Sequence, residues 1–352
     1  MKTNMLDVLN EGDGVSGEPE NGGQTLRPPI LMDFLGQQRA KNMVNMALSG
    51  ARRRGEVPEH MLFYGPPGTG KTSLAHIVAR EAGAALRPVS APALQKPGDI
   101  ASLVVAIEEG GVLFIDEIHR LGKPLAEMLY TAMEDFRLDL LVGDGENRLA
   151  SLPLPKFCLI GATTRPGMLP RPLRDRFGVD VEFSLYADED IEAIVLRSAK
   201  ILGVGIAENV ARAVAKRARG TPRIANTLLR RLRDYAAAAD ENDISETLAE
   251  DGFTFLGIDE NGLTHRDRRY LTILEEARRP MGVGAIAAVM GEDRETVEEE
   301  IEPWLLMRGF IQRGKHGRLL QRGAAQLEAT TPELSAQSGE MSKAEPHPGG
   351  EA

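Results

Sequence analysis

The sequence predicts an α/β protein: a doubly wound parallel sheet, then a small helical unit, then a C-terminal winged-helix module. Three observations carry this prediction. Short apolar runs alternate with helical stretches from Met61 to about Leu185. The pattern is helical throughout from Asp188 to Asp251, and after Asp259 three helical segments precede a short strand–turn–strand.

In the first region the runs MLFYG (61–65), GVLFIDE (111–117) and FCLIGA (157–162) each hold four to six apolar residues bounded by Gly or an acid. Buried parallel strands read this way because both faces are covered. Helical candidates Thr72–Ala82 and Leu125–Asp135 lie between them, giving the βαβ rhythm of a doubly wound sheet. Residues 137–156 break the rhythm. Two apolar-rich arms flank the turn-forming GDGEN, which predicts a β-hairpin. In the second region DEDIEAIVLRSAKILG and ENVARAVAKRARG each run to a Gly, a common helix C-cap. In the third, HRDRRYLTILEEA, IAAVMG and RETVEEEIEPWLLMRG read as helices and FIQRGKHGRLLQRG as the wing, with Trp304 in the core of the module. The expected division is an extension over 1–25, a large nucleotide-binding domain over 26–184, a small helical domain over 185–255, a winged-helix domain over 256–327 and an acidic tail over 328–352.

A chain of 352 residues accommodates two or three domains, each with its own core. No apolar run approaches the ~20 residues that span a bilayer. The start, MKTNMLDVLNEGDG, lacks the apolar stretch of a secretion signal. The single cysteine, Cys158, sits in an apolar run and reads as a buried, inert thiol. The expected location is the cytoplasm. The net charge of −10 argues at first against a nucleic-acid partner, but residues 1–25 and 324–352 each carry −4, leaving about −2 for the body. Both ends are rich in Gly, Ser, Pro and Glu and are expected to be disordered.

The strongest motif is Gly65-Pro66-Pro67-Gly68-Thr69-Gly70-Lys71-Thr72, which matches the P-loop pattern GxxxxGK(S/T) between a predicted strand and a predicted helix. Glycines let backbone N–H groups wrap phosphates, and the helix N-terminus adds a favourable dipole. Lys71 is placed to bridge the β- and γ-phosphates of ATP, and Thr72 to ligate Mg²⁺. About 45 residues on, Val112–Glu117 is a hydrophobic strand ending in two acids, the Walker B pattern. Asp116 is placed to hold the metal through water, and Glu117 to orient the attacking water. His119 has no second His or Cys nearby to make a zinc site and reads as a supporting or interface residue. Gly161-Ala162-Thr163-Thr164-Arg165 ends the next strand, at the edge where such sheets meet their ligand. Thr163 is taken as the hydroxyl that senses phosphate, with Thr164 the alternative. Arg174 and Arg176, in PLRDRFG, lie too far along to belong to the P-loop half of the same site. Arg223, in GTPRIAN, opens a helix of the small domain. An arginine from a neighbour can stabilise transition-state charge, worth ~10³–10⁵ in rate elsewhere. An arginine in the same chain can sense the γ-phosphate, and an isolated arginine can also be a plain surface charge.

Together these residues resemble the AAA+ superfamily. The segments LRPPILMDFLGQ, QKPGD (95–99), LFIDEIHRL, LYTAMEDFRLD, GATTRPGMLPRPLRDRFG and RGTPRIANTLLRRLRDY resemble, more specifically, the RuvB family of Holliday junction branch-migration motors, from about Leu26 to Gln326. The resemblance implies a DNA-dependent ATPase of recombination and repair that works as a homohexameric ring on duplex DNA with the junction-binding protein RuvA and the resolvase RuvC. It implies that Leu26, Arg27 and Tyr186 border the adenine; that Gly68, Lys71, Thr72 and Ser73 hold phosphate and Mg²⁺; and that Glu134, Asp135 and Phe136 lie at the nucleotide pocket. Arg176 would be the finger offered to the adjacent subunit and Arg223 the sensor in cis. The 137–156 hairpin would dock RuvA through Leu138, Leu140 and Leu149, or else pack on its own domain. Thr69 stands where the family commonly has Leu, the hairpin is one residue shorter, and the two ends and the last basic segment depart from the family pattern.

Between Leu306 and Gly323 there is no acid, and Arg308, Arg313, Lys315, Arg318 and Arg322 give a local +5. A basic wing of this kind tracks phosphates with strongly salt-dependent affinity. By the resemblance, Arg294, Arg313 and Arg318 contact DNA. No aromatic row is interleaved, so backbone contact rather than base stacking is expected. A clamp-loader-like ATPase would more often show an SRC-type finger and lack this wing. A protein-remodelling module would carry an aromatic pore loop. Neither feature is present.

Overall fold

The structure, a computed structural model, describes residues 25–142 and 148–321, with side chains outside 140–150. The extension, the acidic tail, the GDGEN turn, Arg322 and the side chains of Leu140 and Leu149 lie outside the described residues. Two compact units meet after Thr264.

The first unit opens with helix α1 (Gln38–Arg54). Strand β1 (Met61–Tyr64) then leads through the P-loop into α2 (Lys71–Ala82). There follow β2 (Leu86–Ser90), α3 (Pro97–Val105), β3 (Val112–Asp116) and α4 (Lys123–Asp135). The hairpin β4 (Arg137–Val142) and β5 (Arg148–Pro153) precedes β6 (Cys158–Thr163), a short α5 (Arg171–Arg174) and β7 (Val179–Glu182). Five strands form one sheet in the order β2-β3-β6-β1-β7, with all four pairings parallel.

Period-two alternation sorts the strand side chains onto two cores. Leu62, Leu113, Ile115 and Leu159 pack with residues of α3 and α4 on one face. Met61, Phe63, Val112, Phe114, Cys158 and Ile160 pack with α1 and α2 on the other. Burial pushes the Cys158 thiol up to about 12, so it stays protonated and unreactive. The hairpin forms as expected, with Leu138 opposite Leu152. Leu138, however, is buried in the core of its own unit beside Leu154 and Phe157, so it is not a free docking residue. Its position one residue into β4, where the strand leaves α4, sends it inward; Leu152 is exposed.

Helices α6 (Asp188–Leu202), α7 (Glu208–Arg217), α8 (Pro222–Ala238) and α9 (Glu246–Leu256) complete the unit around a separate core. Three acids in the first turn of α6 complement its dipole, and Gly203 ends it in the left-handed region. Helix α7 does not run to its Gly. It stops at Arg217, because Arg219 and Gly220 both take positive φ to turn the chain back. Two-residue strands β8 (Gly205–Ile206) and β9 (Asp243–Ile244) pair in parallel within this region, which the helical pattern did not foretell. The segment after α9 remains with this unit, since Arg219 Nε donates to Gly262 O at 3.0 Å. The first compact unit therefore runs through Thr264.

The second unit holds α10 (His265–Ala277), α11 (Val283–Met290) and α12 (Arg294–Thr296). Helix α12 continues through a π turn (Val297–Ile301) into α13 (Glu302–Met307). The wing is β10 (Ile311–Gly314) against β11 (Gly317–Leu320), antiparallel, with Met281 bridging to Arg318. Trp304 is buried in this unit, with the Arg308 guanidinium 5.2 Å from its ring. Among the described residues no helix is long and apolar enough to cross a membrane.

Candidate nucleotide site and basic wing

The P-loop is held open by glycines that no other residue replaces. Gly65 sits at φ +141°, and a Cβ there would fall 2.2 Å from Phe183 O. Gly70, at φ +101°, has the Phe34 ring 2.9 Å from where a Cβ would stand. Without side chains the loop can curl back over the start of α2, the geometry that presents N–H groups to phosphate. The buried Lys71 Nζ donates to Gly65 O at 2.9 Å and Pro66 O at 2.8 Å, spanning the mouth of the loop. Burial pushes its ammonium down to about 8, against the nearby charges of Glu117 and Asp116. Thr72 and Ser73 follow on the first turn of α2, both half-buried.

Strand β3 delivers Asp116 beside this loop. Burial, then the charge of Glu117, raises the Asp116 carboxyl above its usual range. A depressed lysine facing a raised carboxyl is a cluster that a polyanion carrying a divalent cation would relieve on both sides. Among the described residues no group of three His, Cys, Asp or Glu side chains could hold a metal ion. A metal here would therefore take most of its ligands from phosphate and water, as Mg²⁺ does at such sites. The residues present fit that arrangement.

Glu117 adopts φ +49°, an uncommon conformation for a non-glycine residue that recurs at functional positions. Its Oε2 lies 3.1 Å from His119 Nδ1 and accepts from Thr164 Oγ1 at 3.4 Å. Thr163 is fully buried; its Oγ1 meets His119 Nδ1 at 2.9 Å and accepts from the Arg165 amide at 2.9 Å. The hydroxyl that reaches the carboxylate is thus Thr164's, not that of Thr163. By strand alternation Thr163 lies on the face of Leu159 and its hydroxyl meets the His119 ring, while Thr164, one residue past the strand, reaches the Glu117 carboxylate itself.

Arg223, at the second position of α8, approaches the loop from the helical region, its amide donating to Gly68 O at 3.4 Å. Tyr186 OH donates to Thr69 O at 3.2 Å, and its ring fills the space a Cβ on Gly36 would need. The segment carrying Leu26 and Arg27 crosses α2, with an Arg27 guanidinium nitrogen 3.0 Å from His76 Nε2.

Arg176, Glu134, Asp135 and Phe136 lie elsewhere. Gly178 N–H donates to His60 O at 3.0 Å, so the Arg176 loop meets β1 at its first residue, while the P-loop leaves from its last. Four residues of strand separate the two ends, roughly 13 Å of rise. Glu134 pairs with Arg176, and the Phe136 ring stands 6.0 Å from that of His60. These four residues therefore do not line their own chain's phosphate loop, because helix α4 runs antiparallel to the strands and returns its C-terminus to the opposite edge of the sheet.

In the wing, the local +5 of the sequence is offset in space. The buried Glu302 carboxylate accepts from Tyr270 OH at 2.9 Å, Arg318 Nε at 2.8 Å and an Arg313 terminal nitrogen at 2.6 Å. Glu298 takes a second bond from Arg318 at 3.1 Å and one from Arg294 at 3.3 Å. The Arg318 side chain is only 14% exposed, that of Arg313 is 50% and that of Arg294 is 68%. Arg318 is first a structural partner of two glutamates; Arg294 and Arg313 are the two of the three that face solvent.

A P-loop between a parallel strand and a helix, an acidic pair at the end of the strand two places along the sheet and a helical region reaching back with an arginine define a P-loop nucleoside triphosphatase of the AAA+ class. The sequence matches the descriptions "Holliday junction DNA helicase RuvB P-loop domain" over residues 26–183, "RuvB AAA lid domain" over 186–259 and "RuvB C-terminal winged helix domain" over 260–327. The chain belongs to the RuvB family. It is 50% identical over 297 residues to the Holliday junction branch migration complex subunit RuvB of Methanoregula boonei, covering 84% of this chain and 89% of that protein. It is 44% identical over 330 residues to the protein of the same name from Campylobacter fetus, covering 94% and 96%. A solved structure of the Thermotoga maritima RuvB Holliday junction branch migration motor matches with a TM-score of 0.78 and 41% identity, over 87% of this chain and 99% of that one. Membership of this AAA+ P-loop family makes the chain a nucleotide-binding ATPase that uses a divalent metal.

Proposed function

We propose that this chain is an ATP-driven, Mg²⁺-dependent translocase that moves duplex DNA through a homohexameric ring to drive branch migration of Holliday junctions. The observation that carries the reading is the separation within one chain: Lys71, Asp116 and Glu117 lie at one end of the sheet and Arg176 with Glu134 at the other. A complete hydrolysis site then needs two copies side by side. Such heterologous contacts close into a ring when the rotation from one copy to the next divides a full turn, as it does in a hexamer. In this reading Gly68, Lys71, Thr72 and Ser73 hold the phosphates of ATP. Thr72 and, through water, Asp116 would hold Mg²⁺, which would supply positive charge to offset that developing on the phosphates. Leu26, Arg27 and Tyr186 border the base. Glu117, held by Thr164 and His119, orients the attacking water. Arg176 of one subunit reaches the nucleotide of the next, with Glu134, Asp135 and Phe136 beside it.

Arg223 links the phosphates to the helical region. Its amide already lies on Gly68 O, so loss of the γ-phosphate changes the contacts that set the angle between sheet and helices. Arg294 and Arg313 of the winged unit meet phosphates of the duplex, and Arg318 joins them by exchanging a glutamate for a phosphate. Such contacts read backbone rather than sequence, as a translocase requires. RuvA holds the four-way junction and contacts the 137–156 hairpin, where Leu152 is exposed, and RuvC acts in the wider complex.

The test is ATP-driven dissociation of a synthetic four-way junction, with and without RuvA. Wild-type chain is expected to unwind the junction when RuvA is present, and Lys71→Ala to lose both ATP hydrolysis and junction dissociation. ATP turnover at the normal rate by isolated monomers, indifferent to DNA, would refute the reading.

A further inference from the structure

A groove of about 540 Å³ opens on the Arg176 side of the first unit, with His60, Met133, Phe136, Phe157 and Gly178 in its lining. His60 belongs to no motif, yet its ring and backbone make four hydrogen bonds to three other segments. It directly precedes β1. Its Nδ1 accepts from the Leu159 amide at 2.9 Å, which ties it to β6. An amide can only donate, so Nδ1 is unprotonated and the ring proton sits on Nε2. Nε2 in turn donates to Met133 O at 3.1 Å, at the end of α4. The backbone oxygen of His60 accepts from Gly178 N–H at 3.0 Å and Val179 N–H at 3.2 Å, directly after Arg176 and Phe177. The ring also packs against Phe157, with centroids 5.5 Å apart, and against Phe136.

Both segments that form the Arg176 face therefore converge on one residue. Met133 precedes Glu134, the partner of Arg176; Gly178 follows Arg176 itself. Burial keeps the imidazole neutral, consistent with the acceptor at Nδ1.

We infer that His60 is a positioning residue for catalysis in the neighbouring subunit: its neutral ring clamps residues 133–136 and its backbone clamps 176–179, so that Arg176 and Glu134 form one rigid face aimed at the nucleotide bound next door. The inference rests on the reading that Arg176 acts in trans. A residue so placed controls the transition state of a site it never touches, and leaves its own chain's P-loop unaffected. A displacement of an ångström at a reacting group costs about a hundredfold in rate.

The experiment measures ATP hydrolysis by the full chain and by equal mixtures of variants. His60→Ala alone is expected to lower kcat by about a hundredfold while KM for ATP stays within about twofold, the mark of an interaction made only in the transition state. His60→Gln, whose amide places a donor near the Nε2 position, is expected to restore kcat to within about threefold and keeps the test open if His60→Ala does not fold. In mixtures, Arg176→Ala with Lys71→Ala is the control: one supplies an intact P-loop, the other an intact finger, and recovery of hydrolysis confirms action in trans. His60→Ala with Lys71→Ala is then expected to recover as the control does, and His60→Ala with Arg176→Ala to stay inactive. A control that recovers while His60→Ala with Lys71→Ala does not would overturn the role of His60. A control that fails to recover would instead overturn the trans reading beneath it.

Discussion

Replacing Glu302 by Leu tests whether the wing is built on a buried carboxylate. The side chain is close to Glu in size, so the effect is mainly electrostatic. Glu302 is fully buried and serves Tyr270, Arg313 and Arg318 at once. Removing one member of a buried ion pair costs about 3–5 kcal/mol, because the other charge is left without a partner. Arg318 is mostly buried and meets that condition, although its bond to Glu298 survives and places the cost at the low end. Arg313 is half exposed and water replaces its partner, so it adds about 1 kcal/mol or less. The Tyr270 hydroxyl loses its acceptor for about another 1 kcal/mol. A total of about 4–5 kcal/mol in a unit of this size corresponds to a fall in melting temperature of more than about 16 °C. Calorimetry of the full chain reads this as an earlier transition of the second unit, with the first unit's transition unmoved. Adding Arg318→Met is expected to recover part of the loss, since no buried charge then lacks a partner. A shift below about 3 °C for Glu302→Leu would refute the argument.

Four further outcomes are expected. Thr164→Val lowers ATP hydrolysis with little change in stability, while Thr163→Val removes the buried hydroxyl that meets His119 Nδ1 and accepts from the Arg165 amide, at a cost of about 1–3 kcal/mol by denaturant unfolding. Leu138→Ala destabilises by about 2–5 kcal/mol as a core cavity, whereas Leu152→Ala leaves stability unchanged and weakens only RuvA-stimulated junction dissociation. Gly65→Ala prevents folding of the P-loop unit, since its Cβ meets a backbone oxygen; Gly83→Ala, at φ +65° with open space around it, costs about 1 kcal/mol. Acid lowers stability through His60. Its folded pKa lies below the unfolded value of about 6.5, so its contribution is complete above that pH and is lost as pH falls toward the folded pKa. Melting temperature therefore drops more steeply between pH 7.5 and 5 in wild-type chain than in His60→Gln; equal slopes would contradict this.

Much of the nucleotide site was legible as text because its chemistry is local. A phosphate loop needs glycines, a lysine and a hydroxyl at fixed spacing on one strand–helix junction, and an acidic pair at a strand end announces itself in six residues. The resemblance of LRDRFG and GTPRIAN to a known family extended this to arginines whose partners lie far along the chain. Four features were out of reach. Strand parity alone turns Thr163 inward and Thr164 toward Glu117. The acid-free wing segment gave no hint that Glu298 and Glu302 lie against its arginines, since their spacing in the chain says nothing of their approach in space. The sequence left Leu138 open to docking or to packing on its own domain, and only the tertiary structure placed it in the core. His60, a lone histidine before a strand, had no pattern at all; its bonds join three segments 73 to 119 residues distant and exist only once the sheet has assembled. Spacing along a chain encodes what one strand, turn or helix can do. Which end of the sheet Arg176 occupies, the observation on which the proposal of a site shared between two copies rests, follows from how those elements pack.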